Sequence, residues 1–376
     1  MENGDKIIAI IGTSIGQSGL FKSASKLGLK TIAFSVPGNK DYSYLADKHY
    51  HISVDDVDSI VQVCKENRVC GVVSNGSDFT AKYANEIAFR LGLPSNDPLD
   101  LLKASDKNYV REQTKNIDGL AQIKHSIYYQ DFSPQYPCII KPISSGGKNG
   151  LSIARDSNSF DKAIEYAKQC FSGDILVEEF IDGLELSVEV LSANGKHYVI
   201  QTCEAETSGE PHFVEIAHHL PANISRETDM KIRKIVPCIL DAINFRNGAT
   251  DIEMKVDSQG NVYLIEVNLR GAGGNITNHL ISLSTGYDYL GGLIEISIGE
   301  FKHPEIRMNE FVGDYYLCAQ TLPLMPLFAG TKPRPWLIES TIRPEHLNNI
   351  KEVKTNGDRD GYIIYKSAHR VTLKDA

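Results

Sequence analysis

The stretch "DIEMKVDSQGNVYLIEVNLR", Asp251 to Arg270, restricts the fold more than any other in the chain. Two β-type runs flank Asp257–Gly260, whose residues are turn formers, so the segment predicts an antiparallel hairpin. Side chains alternate along a strand. Ile265, Val267 and Leu269 therefore share one side, and Glu266, Asn268 and Arg270 the other. Pairing Val256 with Asn261 puts Glu253 opposite Leu264 and Asp251 opposite Glu266. Glu253 and Glu266 become diagonal neighbours, roughly 7–8 Å apart between Cα atoms. Two carboxylates so close repel unless a cation sits between them. Hard oxygen ligands from carboxylate and amide suit Mg²⁺, and a guanidinium beyond them suits phosphate or carboxylate. An arbitrary polar hairpin is more often a solvent-facing strand face with surface ion pairs. The exit into Gly271–Gly274 points the other way, because glycine permits close backbone approach to a ligand.

The surroundings of the hairpin set its context. The chain has 376 residues, which calls for two or three domains. Strand–helix alternation opens it. "KIIAIIG", "KTIAFSV" and "VCGVVS" read as strands, and Leu20–Leu27 and Val57–Asn67 as helices, which together imply a parallel α/β unit. "LGLPSNDP" (Leu91–Pro98) reads as a boundary. From Tyr136 the pattern changes to strand pairs with tight turns, with helices at Ser159–Cys170 and Asp229–Ile243. The segment "TLPLMPLFAGTKPRP" reads as an irregular cover or small β appendage.

Composition excludes several classes. A net charge of −9 argues against a broad nucleic-acid surface. No apolar run reaches membrane-span length. The polar start, MENGDK, is not that of a signal peptide. Seven scattered cysteines without a C-x-x-C pair read as reduced thiols in a cytoplasm.

Two more stretches bear chemistry. In "CIIKPISSGGKNGLSIARD", Lys141 closes a buried-looking strand before a Ser/Gly loop that can fold its N–H groups over phosphates. It is not a Walker A loop, since no Gly-Lys-Ser/Thr opens a helix. In "ILVEEFIDGLELSVEV", a strand runs to Glu178, a connector follows, and acids at Glu185 and Glu189 then alternate with apolar residues. Such a hinge can read an adenine edge, with Glu185 accepting from ribose hydroxyls. An ordinary half-buried strand fits that stretch equally well.

Taken together, Lys107 in "SDK", "IIKPISSGGKNG", "VEEFIDGLELSVEV" and "EMKV…GNVYLIEVNLRGAGG" occur in an order that resembles the ATP-grasp superfamily. The branch is that of carboxylate–amine/thiol ligases, such as L-amino acid ligases. The resemblance spans about residues 1–300 and implies a mixed α/β and α+β architecture. A pre-ATP-grasp Rossmann-like domain (1–105) precedes a two-subdomain ATP-grasp fold (106–300). Its lid covers about 106–177 and its metal and substrate subdomain about 178–300; a small C-terminal appendage (301–376) follows. It implies that Lys107, Lys141, Ser145, Gly146 and Gly147 hold the phosphates of ATP. Glu178, Phe180, Ile181 and Glu185 are expected around the nucleoside. Glu253, Glu266 and Asn268 are expected on Mg²⁺ or Mn²⁺, and Arg270 at the transferred phosphate. Arg270 and Lys141 are the catalytic candidates.

The implied reaction activates a carboxylate as an acyl phosphate with release of ADP and joins it to an amine. The implied partners are a small carboxylic acid and an amine, amino acids among them, and a second copy in a homodimer. Glu215 and His218, in the irregular "GEPHFVEIAHHLPANIS", are substrate candidates with Arg270, though a surface hairpin with two ordinary histidines fits that stretch as well. Three other readings stay open: a carboxylase using bicarbonate, an oxidoreductase binding NAD through Gly12–Gly19, and a non-catalytic nucleotide-binding module. "NGSD" (Asn75–Asp78) follows a strand and can also line the cleft.

Overall fold

The computed structural model of the protein describes residues 6–36, 38, 41–129, 132–144, 149–210, 213–331, 334–342, 350 and 352–375. The chain begins with β1 (Ile7–Ile11), α1 (Ile15–Lys26), β2 (Lys30–Phe34), β3 (Lys48–Tyr50), α2 (Val57–Glu66), β4 (Gly71–Val73) and α3 (Asp78–Arg90). The four strands form a parallel sheet in the order β3-β2-β1-β4. β1 is apolar throughout because both faces are covered. Ile8 and Ile10 pack with Leu20, Phe21 and Ala24 of α1, while Ala9 and Ile11 pack with Ile60 and Val61 of α2 and Ile87 and Ala88 of α3.

After α4 (Pro98–Ala104) and α5 (Lys107–Thr114) come β5 (Leu120–Ala121), β6 (His125–Ile127), β7 (Cys138–Pro142), β8 (Ser152–Ala154), α6 (Ser157–Cys170) and β9 (Ile175–Glu179). Strands β6, β9, β7 and β8 form a separate antiparallel sheet. α6 covers one face of it through Phe160, Ala163, Ile164 and Ala167, spaced for one side of a helix. The other face carries Ile139, Lys141 and Glu178 toward a cavity.

The rest supplies β10 (Leu184–Ala193), β11 (Lys196–Thr207), β12 (Glu215–Leu220), α7 (Arg226–Ala242), β13 (Gly248–Val256), β14 (Val262–Asn268), α8 (Ile281–Thr285), α9 (Tyr289–Ser297), β15 (Phe311–Tyr316), β16 (Leu337–Ile342) and β17 (Gly361–Ser367). These eight strands and β5 form a nine-stranded sheet in the order β16-β17-β15-β12-β11-β10-β13-β14-β5. The strands after residue 300 thus extend the central sheet, joined to it where β15 pairs with β12. On the back face, Leu186, Val188, Ile252, Met254 and Leu264 meet Ile232, Ile235, Val236 and Ile239 of α7. Burying each such side chain contributes about 1.5–3 kcal/mol. The opposite face presents the polar members of β10, β13 and β14.

The hairpin differs from its expected register in one respect. Val256 pairs with Val262, and a β-bulge at Ile265 then brings Glu253 directly opposite Glu266 and Asp251 opposite Asn268. The bulge also reverses the alternation. Leu264 and Val267 face the back core, whereas Ile265 lines a cavity with Glu266, so the predicted Ile265–Val267–Leu269 side does not form. Arg111, from α5, accounts for the bulge. Its guanidinium donates to the Ile265 carbonyl at 2.8 Å.

Candidate active site

Glu253 and Glu266 face each other across β13 and β14, and the cations of the site gather around them. Lys107, the first residue of α5, is buried and places Nζ 3.1 Å from the Glu266 carboxylate. Asn268 donates through Nδ2 to Glu253 at 3.0 Å and to Asp251 at 3.2 Å. Arg270 donates from Nη1 to Asp251 at 2.8 Å, with Nε 3.3 Å from Asp78 of α3.

Behind this row, Glu189 lies opposite Asp251 and is fully buried. Burial raises its carboxyl above the usual range, with Asp251 adding repulsion. Both of its oxygens accept from the Ala272 N–H, at 3.2 and 3.3 Å. Ser187 bridges the two acids, donating to Asp251 at 2.7 Å. The polar residues at every second position of "ELSVEV" (Glu185, Ser187 and Glu189) were the available signal for Glu189. Asp251 and Ser187 acquire their places only through strand pairing.

Among the described residues, no cluster of three or more His, Cys, Asp or Glu side chains is set to hold a metal ion. The expected set, however, is two carboxylates and an amide. Its directly opposed acids and hard oxygen donors fit Mg²⁺. Ligation by the Asn268 oxygen requires its amide to rotate, because Nδ2 now faces the carboxylates.

Lys141 and Glu178 form the second half of the site. No acidic neighbour of Lys141 is evident in the sequence. In the structure its Nζ lies 2.7 Å from Glu178, and Arg111 donates to the same carboxylate at 2.6 Å. All three side chains are buried. Burial alone would raise the Glu178 carboxyl, but Arg111 and Lys141 outweigh it and hold it at about 2. Burial pulls the Lys141 ammonium below its ordinary value, against the attraction of Glu178. Arg111, absent from the sequence reading, therefore anchors both the lid strand and the bulge. A lone Arg in "KNYVREQT" gave no signal for that role.

These groups border two cavities. One of about 100 Å³ is lined by Lys107, Lys141, Glu178, Phe180, Ile181, Glu185, Glu253, Ile265 and Glu266. Lys255 lies above the Phe180 ring at 5.4 Å and donates to the Ile181 carbonyl, which fixes the hinge after β9. The other, of about 420 Å³, shares Lys107 and Glu266 and adds Ser144, Asn268, Arg270 and residues of α3 and α4. Ser145, Gly146 and Gly147 lie outside the described residues.

Glu215 and His218 sit on β12, further along the front face. His218 Nδ1 is 2.9 Å from buried Asp314, and Nε2 is 3.5 Å from Glu215. Burial opposes charge on His218, but Asp314 overrides it and lifts the imidazole to about 10. Asn275, just past the glycine run, donates to Asp314 at 2.9 Å. That run serves packing. A Cβ on Gly271 would stand 2.6 Å from Asn75 Oδ1, and one on Gly76 (φ +71°) 3.0 Å from Gly16 Cα and 3.4 Å from Gly273 Cα. The turn after β4 is thus pressed between the start of α1 and the loop after β14, and Asn75 donates to Thr277 across it at 2.8 Å.

Residues 134–279 match the family described as ATP-grasp domain. A solved L-amino acid ligase from Bacillus licheniformis superposes with a TM-score of 0.77 at 21% identity, covering 97% of this chain and 94% of that one. The α subunit of mouse methylcrotonoyl-CoA carboxylase is 24% identical over 310 residues, 75% of this chain and 42% of the relative. A D-alanine–D-alanine ligase of Ruminiclostridium cellulolyticum is 26% identical over 209 residues, 53% of this chain and 51% of the relative. The chain spans about half the length of the curated relatives it matches. It carries an ATP-grasp domain within an ATP-grasp fold. No helix among the described residues is long and apolar enough to cross a membrane.

Proposed function

We propose that the protein is an ADP-forming ligase that activates a carboxylic acid as its acyl phosphate and joins it to an amine. The observation that carries this reading is the direct opposition of Glu253 and Glu266, flanked by Lys107, Asn268 and Arg270, where two cavities meet. ATP binds at the smaller cavity, which opens to admit it, with the nucleoside against Phe180, Ile181 and Glu185. Lys107 and Lys141 neutralise its phosphates, with Ser145, Gly146 and Gly147 of the lid loop over them. Glu178 acts through Lys141, which it holds in place. Glu253, Glu266 and, after rotation of its amide, Asn268 hold Mg²⁺, which supplies charge neutralisation for phosphoryl transfer. Arg270, fixed by Asp251, forks onto the transferred phosphate. Glu215 and His218 orient the acid. We place the chain's units at 1–105, 106–300 and 301–376, and the protein in the cytoplasm as a homodimer.

The test is hydroxylamine trapping. Hydroxylamine in place of the amine should give a hydroxamate with one ADP per product, and Arg270→Ala should depress both signals. AMP and pyrophosphate in place of ADP would refute the acyl phosphate. Likeness to a carboxylase supports a second reading with bicarbonate as the acid; ADP release that needs bicarbonate and no amine would establish it.

A further inference from the structure

We propose that Arg111 is a positioning residue for the metal: its guanidinium, shared between the lid strand β9 and the bulge of β14, sets where Glu266 stands opposite Glu253. This rests on the ligase reading, in which those two acids hold Mg²⁺. Lys107 and Arg111 are one helical turn apart on α5, so they share a face, and both are buried. Lys107 meets Glu266 itself, at 3.1 Å. Arg111 acts one step further back. It donates from Nε to Glu178 at 2.6 Å and from Nη2 to the Ile265 carbonyl at 2.8 Å. Glu178 and Ile265 belong to different sheets, so one planar fork ties the lid to the central sheet. On the lid side, Glu178 passes the tie to Lys141 at 2.7 Å.

The bulge decides which side of the sheet Glu266 serves. From the turn, Val256, Lys255 and Met254 pair in step with Val262, Tyr263 and Leu264. A regular ladder would next set Glu253 against Ile265 and Ile252 against Glu266. Opposed residues share a face, and Ile252 packs behind the sheet against α7. Glu266 would then be driven into an apolar core, away from Glu253. Insertion of Ile265 moves Glu266 by one step and so to the other face. The back-core contacts of Leu264 and Val267, three positions apart, select that register. They do not fix the inserted residue, which a bulge leaves unpaired in the ladder. A loose bulge lets Glu266 drift against Glu253, and Mg²⁺ demands near-ideal ligand geometry. Arg111 takes up the carbonyl of the inserted residue. Lysine is no substitute. Its ammonium is a point charge that goes to the Glu178 carboxylate in preference to a neutral carbonyl, whereas the guanidinium fork holds both at a fixed separation.

The experiment measures ADP affinity by calorimetry in the full-length wild type, Arg111→Lys and Glu178→Gln, once with a chelator and once with saturating Mn²⁺. The ratio of the two affinities reports the metal site without any turnover. Arg111→Lys keeps a charge beside Glu178, so its metal-free affinity should stay within about twofold of wild type. Its tightening by Mn²⁺ should fall by about tenfold or more, as expected when a group that orients a metal ligand is lost. Glu178→Gln should show the reverse split. It frees Lys141 but leaves the Ile265 carbonyl bonded to Arg111, so metal-free affinity should fall while the ratio holds. An unchanged ratio in Arg111→Lys would overturn the proposal. So would metal-free affinity and ratio falling together in both variants, because general loosening moves both. If circular dichroism shows Arg111→Lys unfolded, Glu178→Gln decides, a retained ratio supporting the proposal and a lost ratio overturning it. Equal ADP affinity with and without Mn²⁺ in the wild type would instead overturn the metal site of the ligase reading, and this proposal with it.

Discussion

His218 and His219 are adjacent in the chain but serve opposite faces of the central sheet. His218 looks to the front, between Asp314 and Glu215, and is held charged to about 10. His219 looks to the back, where burial lowers its imidazole; Tyr365 Oη lies 2.8 Å from Nδ1 and Glu206 lies 3.0 Å from Nε2. Arg370 donates to Glu204 and Glu206 in the same cluster, each at 2.6 Å. Both faces are therefore rich in charge. The back cluster is closed, each acid answered by a base or a backbone N–H. The front sets Asp251, Glu253 and Glu266 against Lys107 and Arg270, and it borders two cavities. A surplus of one sign beside open space marks a site; charge alone does not.

The largest expected effect comes from reducing that imbalance. Glu266→Gln keeps the shape but removes a charged metal ligand, and should cut turnover by about 10³-fold or more, roughly 4 kcal/mol. Circular dichroism should show an unchanged fold. Turnover near wild type at saturating Mg-ATP would remove Glu266 from the mechanism and blur the contrast between faces.

The lid triad should show its effect in stability as well as binding. Lys141→Met leaves Glu178 buried with Arg111 alone, and losing one partner of a buried pair costs about 3–5 kcal/mol. Mg-ATP affinity should fall more than adenosine affinity, because phosphate charge loses its partner. Equal losses by calorimetry would deny Lys141 a phosphate role. Wild type should also be acid-sensitive through Glu178. Its folded value of about 2 lies below the ordinary 4.5, so its contribution is full above 4.5 and is lost as pH falls toward 2. That loss should be smaller in Lys141→Met, as read by urea midpoints across that range.

His218→Gln should lower kcat/KM for the acid by about ten- to a hundredfold, through lost charge at Glu215 and Asp314. Its folded value lies above the ordinary 6.5, so wild type holds that stability below 6.5 and loses it as pH rises through about 10. The variant should lack that alkaline loss. An activity profile controlled by a histidine near 6.5 would contradict the assignment.

How much of this was legible in the chain follows from the range of each cause. Period-two alternation exposed the acid–amide–guanidinium face of β14, since it is a local property of seven residues. The bulge was not legible, because Arg111 lies 154 positions from Ile265, whose carbonyl it takes. For the same reason Lys141 looked unpartnered, its acid lying on another strand. The glycines after β14 were noticed, but what they pack against was not legible. They admit Asn75 and Gly76, which only the docking of the parallel sheet brings near.

The smallest effect tests the closed cluster. Arg370→Met removes a guanidinium that ties the end of the chain to β11 at Glu204 and Glu206. Glu204 keeps the Asn223 N–H at 3.0 Å, and Glu206 keeps His219. Neither acid is stranded, and Glu206 is partly open to water, so the cost should be only about 1–2 kcal/mol. Because the cluster lies behind the sheet, KM values for ATP, acid and amine should stay within about twofold of wild type. A thermal shift with unchanged kinetics keeps the two faces distinct. A fall in kcat as large as that of His218→Gln, with the fold intact, would mean that the back cluster is wired to the front through β11 and β12, and that position behind the sheet is no guide to function.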